Sequence, residues 1–309
     1  MISLLNTTLS MAVRMSTPYM FAALGGMVAQ HSGVYNFALE GMMLGGAFFG
    51  YFFALTTGNL LVGVMGAVLC GLVFGLLLSF IIMRFGVSQM VLGLGFNTLM
   101  LGITSFGQRL LNMDKEVRPR LSNVMGDIPS GFLKRIPVIG GMLFGQNLLV
   151  YLVIVFYIFY AWFLNRTRRG LGLRSVGENP AAAQSAGINV FKYRYIAIIV
   201  SCILSALGGA YLTLTQVGRF AEGMTDGRGW IAIAALCLGR LKPRGVFLGS
   251  LLFGLASAIS NQVQVLNLGI SSHIALMLPY VMAILALVSS GKQRSHGPAA
   301  LGKPYFKNR

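Results

Sequence analysis

A chain of 309 residues that is 56% hydrophobic and only 10% charged cannot clothe a water-exposed surface, because soluble domains carry about 25% charged residues. The 24 Lys and Arg against seven Asp and Glu give a net charge of +17. The basic residues cluster between apolar stretches and form no stripe interleaved with exposed aromatics. This excludes a soluble fold, sets nucleic-acid binding aside, and points to a polytopic membrane protein with cytoplasmic basic loops beside anionic lipid.

Nine apolar segments follow in order, near residues 10–29, 35–57, 60–83, 87–108, 146–164, 195–217, 229–239, 245–266 and 268–290. Most exceed the ~18 residues that let a helix cross ~30 Å of hydrocarbon. The expectation is an all-α fold of about nine transmembrane helices in one domain over residues 1–309. The start lacks a basic n-region, so no cleaved signal peptide is expected. Segment 229–239 is too short alone and needs irregular backbone around Gly227 and Gly229. Cys70, Cys202 and Cys237 lie inside apolar segments without CxxC spacing, and read as small packing residues rather than a disulfide or metal set. Gly63, Gly66, Gly71 and Gly75, and again Gly245, Gly249 and Gly254, are spaced to let membrane helices approach closely.

Orientation follows the basic residues. The 165–194 loop holds Arg166, Arg168, Arg169, Arg174, Lys192 and Arg194 against Glu178 alone, and the 291–309 tail holds Lys292, Arg294, Lys303, Lys307 and Arg309 with no acid. Both are expected in the cytoplasm, which requires the short 229–239 segment to complete a crossing. The 109–145 loop then falls outside despite six basic residues, against the rule, and Pro119, Pro129 and Pro137 mark it as an irregular lid.

An internal repeat is also legible. The offsets of Gly66, Leu69, Leu72, Phe74, Gly75 and Leu76 recur in Gly245, Leu248, Leu251, Phe253, Gly254 and Leu255. The halves, about 10–108 and 195–290, run in opposite directions in this topology. An inverted repeat with interrupted helices is a transporter architecture; chance likeness between apolar segments is the rival explanation.

Polar groups within the membrane are costly and mark candidate pathway residues. Glu40 is the only acid well inside a segment, and Asn36, four residues earlier, is expected on the same helical face. Asn97, Gln216, Asn261 and Gln262 are uncharged candidates. For each amide the alternative is an interhelical hydrogen bond, and for Glu40 a structural pair or helix cap. There is no HExxH motif, no paired carboxylates and no Ser/His/Asp set, so no enzyme site is expected.

Residues 176–189 specify a short helix in the largest basic loop. Asn179 is a good N-cap, Pro180 suits the first helical position, the alanines favour helix, and Gly187 terminates it. Two turns are marginal alone in water, so this helix either docks a partner or lies on the membrane as a connector.

This stretch resembles the coupling loop of ABC importer permeases of the branched-chain amino acid, ribose and nucleoside type. Two further stretches share the resemblance: Ser32-Gly33-Val34-Tyr35-Asn36-Phe37-Ala38-Leu39-Glu40-Gly41-Met42-Met43, and Asp226-Gly227-Arg228-Gly229-Trp230 continuing to Gly239-Arg240-Leu241-Lys242-Pro243. It covers about residues 15–290 and looks most like the nucleoside subgroup. Phe37-Ala38, His31 and Lys242 depart from the usual forms, which touches the substrate rather than the family.

The resemblance implies ATPase coupling through Gly177, Glu178, Asn179, Pro180, Ala181, Ala182, Ala183, Ala186 and Gly187. It implies a solute path near Asn36, Phe37, Glu40, Asn97, Trp230 and Asn261. The implied partners are two ABC ATPase subunits, a second permease (identical or paralogous) and an extracytoplasmic solute-binding protein, in a bacterial cytoplasmic membrane. The chain lacks a GxxxxGK[ST] loop; Gly291-Lys292 and Gly302-Lys303 are followed by Gln and Pro. No cofactor or metal is expected on this chain, with ATP and Mg used by the partners. The expected function is alternating-access import of a small polar solute, a nucleoside or nucleobase first and a simple sugar next. The alternative is a secondary carrier driven by an ion gradient.

Overall fold

A computed structural model describes residues 2–112, 119–128, 144–266, 272–291 and 297–306. Its elements are helices: α1 (Ile2–His31), α2 (Leu39–Thr57), α3 (Leu60–Phe85), α4 (Gln89–Asn112), α5 (Leu148–Arg166), α6 (Arg168–Glu178), α7 (Pro180–Ser185), α8 (Val190–Tyr211), α9 (Arg228–Leu238), α10 (Pro243–Val265) and α11 (Ser272–Gly291). Among the described residues the only β pairing is one isolated bridge, Asp127 to Asn147. Among the described residues six helical stretches are long and apolar enough to cross a membrane, against the nine expected: Leu39–Thr57, Leu60–Phe85, Gln89–Leu111, Leu148–Arg166, Val190–Val217 and Pro243–Val265. Residues 267–271 of the last apolar segment lie outside the described residues.

Helix ends fall where the sequence carries caps. Asn59, Asn147, Thr167 and Asn189 each accept a hydrogen bond from a backbone N–H in the first turn of α3, α5, α6 and α8, satisfying a donor that has no partner within the helix. Gly58 and Gly86 close α2 and α3 in the left-handed conformation. α8 does not stop at Tyr211 but runs on through a π-helical turn, Leu212–Val217, to Gly218.

Three boundaries differ from expectation. α1 begins eight residues before residue 10. The short loop helix spans only Pro180–Ser185, and a separate helix, α6, precedes it. The 35–57 segment becomes helix only at Leu39, with Ala38 at the N-cap, because Asn36 accepts from the Ala38 N–H at 3.0 Å in a local turn that competes with helix. Asn36 and Glu40 therefore do not share a helical face.

The core is built where backbones touch. α3 lies along α8, α1 along α10, and α8 also packs on α1 and α2. A Cβ at Gly209 would overlap the Met43 carbonyl, and one at Gly46 the Ala206 carbonyl, so α2 and α8 meet at a distance only glycine permits. Phe21, Tyr211, Phe253, Met20 and Leu24 fill the centre. The buried hydroxyls of Ser16, Thr17, Ser205 and Ser250 donate to carbonyls three or four residues earlier, so they need no water. The outer face of α3 instead exposes Leu61, Met65, Leu69, Val73 and Phe80. An apolar outer face, with glycines where helices touch, fits a lipid solvent. Cys70 and Cys202 are buried and Cys237 is exposed; all three are free thiols.

Residues 119–128 lie across one end of the bundle. Leu121 N–H donates to the Gly218 carbonyl, Met125 N–H to the Leu214 carbonyl, and Tyr51 Oη to the Pro119 carbonyl. Arg14 pairs with Asp127 at 2.6 Å. The lid expected of the 109–145 loop is described only over this stretch; Pro129 and Pro137 lie outside the described residues.

Candidate translocation path and coupling surface

Two helices start inside the bundle rather than at its ends. Before α2, residues 32–38 run as non-helical backbone, and before α9, residues 218–227 do the same. Bare backbone in a membrane interior must find partners within the protein. Gln89 Oε1 accepts from the Tyr35 N–H at 2.7 Å. Asn97 accepts from the Gly41 N–H at 2.8 Å and donates Nδ2 to the Phe37 carbonyl at 3.0 Å. Asn36 Nδ2 donates to Ser201 Oγ at 2.8 Å on α8. Asn97 sits about 12 Å along α4 from Gln89 at ~1.5 Å per residue, so the break reaches well into the span.

The start of α9 has no cap of its own; Gly227 takes φ 73° and no local side chain bonds the first turn. Glu40, in the first turn of α2, supplies the cap across the bundle. Its Oε1 accepts from Gly227 N–H at 2.9 Å and Oε2 from Gly229 N–H at 2.6 Å. A carboxylate at a helix N-terminus is favoured by the exposed N–H groups and the helix dipole together. The loop leading in is braced as well: Arg228 Nη1 donates to the Met224 and Thr225 carbonyls, and Tyr280 Oη on α11 to the Asp226 carbonyl.

The structure thus gathers Asn36, Phe37, Glu40 and Asn97 around one junction, with the half-exposed Trp230 one turn away (41% exposed). The polar atoms of Asn36, Glu40 and Asn97 are engaged by protein groups. Asn261 is elsewhere: it approaches Met15 Sδ at 3.7 Å on α1. Nearby, a cavity of about 610 Å³ opens between Asn6, Ser10, Arg14, Met15, Thr215 and Gln216. Gln89, Ser201 and the Gly227 and Gly229 N–H groups are junction members that sequence reasoning did not single out as site residues. The signal that could have found Gln89 and Ser201 is a polar residue at the edge of, or within, an apolar run.

At the basic end, Asn179 caps α7 by accepting from the Ala182 N–H at 3.1 Å, Pro180 stands at the first helical position, and Gly187 follows with φ 80°. Ala183 is buried against Val176 and Val190, while Ala181, Ala182, Ser185, Ala186 and Gly187 are exposed. One face of this helix is therefore anchored and the other is free. The tail holds the anchored side. Ala300 N–H donates to the Gly177 carbonyl, Gly302 N–H to the Gly33 carbonyl, and Ala299 N–H to Glu178 Oε2 at 3.4 Å. Arg194, buried to 1%, donates to the Lys303 carbonyl at 3.0 Å and lies 5.9 Å from the Tyr305 ring centre. Residues 297–306 thereby touch both the base of α7 and the start of the α2 break. Lys292, Arg294, Lys307 and Arg309 lie outside the described residues.

Interrupted helices meeting N-terminus to N-terminus inside an apolar bundle, with a capped helix presented at the basic end, define a membrane permease. The comparisons agree. The family described as "Branched-chain amino acid transport system / permease component" matches residues 8–287. The guanosine ABC transporter permease protein NupQ of Bacillus subtilis is 35% identical, over 95% of this chain and 94% of its own. The nucleoside ABC transporter permease protein NupC of Lactococcus lactis is 32% identical over 95% of each. A solved ABC transporter in an inward-facing conformation shares the fold, with a TM-score of 0.54 at 18% identity over 89% of this chain and 85% of that one. The chain belongs to the branched-chain amino acid transport system permease component family.

Proposed function

We propose that this permease imports a nucleoside, with guanosine as the first candidate, through an ATP-driven ABC complex in a bacterial cytoplasmic membrane. The substrate class rests on the likeness, along almost the whole chain, to permeases named for guanosine and nucleosides. The coupling mechanism rests on α7, which is fastened on one face and exposes small side chains on the other. An ATPase docking there would move α7, and the tail contacts at Gly177 and Gly33 would carry the movement to the break before α2. The ATPase must bind the two permease conformations with different affinity for this to do work. ATP and Mg are used by those partner subunits, and an extracytoplasmic binding protein delivers the solute. A second permease, identical or paralogous, completes the path.

The topology that goes with this function has nine crossings and an inverted repeat, with α1–α4 answering to α8–α11. The packing supports it. α3 lies along α8 just as α10 lies along α1, and a Cβ at Gly75 would meet Ile199 and Cys202 on α8 as one at Gly254 would meet Ala12 and Ser16 on α1. The first helix of each half packs on the third helix of the other.

The test is uptake of labelled guanosine in a bacterial strain without its own nucleoside import, expressing this chain with its partner subunits. Uptake that needs ATP, survives collapse of the proton gradient, and is competed by other nucleosides but not by ribose is the expected result. Uptake that follows the proton gradient and ignores the ATPase would favour the secondary carrier. Competition by simple sugars alone would move the substrate to that class.

A further inference from the structure

The basic end of the bundle holds a cavity of about 820 Å³ beside the coupling surface, for which the import reading names no occupant. Its walls are the last turn of α5, the second half of α6, the α9–α10 turn, His31 at the end of α1 and Pro298 of the tail. Arg166, Arg174, Arg240, Lys242 and Arg244 line it, with Glu178 as the single acid, an excess of four positive charges. Among the described residues the one ion pair is Arg14 with Asp127, so none of these five cations is neutralised by a protein carboxylate within 4 Å. Like charges gathered in a partly enclosed space repel, and an anion there relieves the repulsion.

The five cations are themselves exposed, and three further features give the basic surface they form a shape. Arg240 and Leu241 are held at φ 50° and 56°, a left-handed conformation that non-glycine residues seldom adopt and that accumulates at functional sites. No side chain caps the first turn of α10, whose Lys242, Pro243, Arg244 and Gly245 all line the cavity; an uncapped helix N-terminus favours an anion. Lastly, Val155, Ile158, Phe159 and Trp162 are exposed at successive i, i+3, i+4 and i+7 positions of α5, a continuous apolar wall whose Trp162 is itself part of the cavity.

We propose that this pocket binds a phosphate-bearing anion, and that its occupant is the headgroup of an anionic phospholipid whose acyl chains lie against the Val155–Trp162 face of α5. A free phosphate or nucleotide would satisfy the cations but would leave that apolar wall without a role; a phospholipid uses both. Clustered Lys and Arg beside a span are the general signature of such recognition. The bound headgroup would link Arg174, on the helix leading into α7, to Arg240 and Arg244, on the turn after the interrupted helix α9. The anionic lipid would thus hold the coupling loop against the translocation helices.

The test uses the full chain, purified in mild detergent from bacterial membranes and examined by native mass spectrometry after a delipidating wash. Wild type is expected to keep phosphatidylglycerol or cardiolipin. Arg166→Gln/Arg240→Gln/Arg244→Gln is expected to bind it on the order of 100-fold more weakly. The Arg166→Lys/Arg240→Lys/Arg244→Lys variant, which keeps the charge, retains it within a few-fold, and concentrated salt strips it from folded wild type. In discs of phosphatidylcholine alone, inorganic phosphate and ATP are titrated against the melting temperature. If they stabilise wild type but not the Gln variant, and no lipid is preferentially retained, the occupant is a free anion and the phospholipid assignment is overturned. If wild type and the Gln variant retain the same lipids and neither responds to phosphate, there is no anion site. The lipid readout needs no ATPase and no solute, so it stands or fails separately from the import reading.

Discussion

Glu40 caps another helix across the junction, because two backbone N–H groups there have no other cap. Removing it as Glu40→Ala leaves both part-buried donors without their acceptor, at about 1 kcal/mol each, the low end of the range for buried groups. The expected outcome is a clear fall in detergent melting temperature together with loss of uptake. Glu40→Gln keeps one acceptor oxygen and is expected to fall between, measured by the same two assays. A pathway role without a structural one would instead abolish uptake and leave the melting temperature unchanged. The contact glycines make a second residue-scale prediction. Gly46→Ala must displace backbone at Ala206, whereas Gly102→Ala meets nothing within 4 Å and sits in the interior of α4. The first should lower the melting temperature and the second leave it unchanged or raise it slightly, since Ala is favoured over Gly in helix by about 1 kcal/mol.

At the scale of elements, α7 depends on its cap more than the long helices do. Six residues cannot sustain a helix alone, so the Asn179 side chain and the buried Ala183 hold it in place. Asn179→Ala should cost about 1 kcal/mol locally, with little change in global melting. Recovery of the ATPase in a mild-detergent pull-down should fall, and Asn179→Asp, another good cap, should restore it. Full recovery with Asn179→Ala would mean that α7 is a connector and the ATPase docks elsewhere. α2 shows how an element boundary is decided by competing local bonds. The predominantly apolar segment begins at Tyr35, but the Asn36 carboxamide oxygen takes the Ala38 N–H, and Asn97 and Gln89 take up neighbouring backbone groups. The helix starts at Leu39 because the polar backbone before it is satisfied elsewhere.

For the whole molecule, the tail is the part whose role appears only when the chain is folded. Residues 297–306 bond Gly177, Glu178, Gly33 and Arg194, and Phe306 lies against Gly86 between α3 and α4. Ending the chain at residue 296 should leave the spans intact, as read by insertion and helical content. It should also uncouple ATP hydrolysis from uptake, so that more ATP is hydrolysed per solute molecule imported. An unchanged ratio would show the tail to be a passive cover. The proposed nine-crossing topology is checked by single cysteines in a cysteine-free background. A cysteine at Ala181 should react with membrane-impermeant maleimide only after the cytoplasmic face is opened, and one at Val124 in intact cells.

The amino-acid sequence by itself determined the membrane class, the apolar segments, the basic ends, the interrupted α9 and the capped α7. Each of these is written in neighbouring residues: unbroken apolar runs, clustered Lys and Arg, Gly227 and Gly229 before a segment too short to cross, and Asn179-Pro180 ahead of alanines. Only the tertiary structure decided that Asn36 and Glu40 face different helices, that Glu40 caps a helix 187 residues away, and that the tail folds back onto Gly33 and Gly177. A cap within one helix follows from short spacing, whereas a cap supplied across the bundle depends on which backbones pack together. That was settled by the glycine contacts between α2 and α8 and by the joint packing of both interrupted helices around one junction.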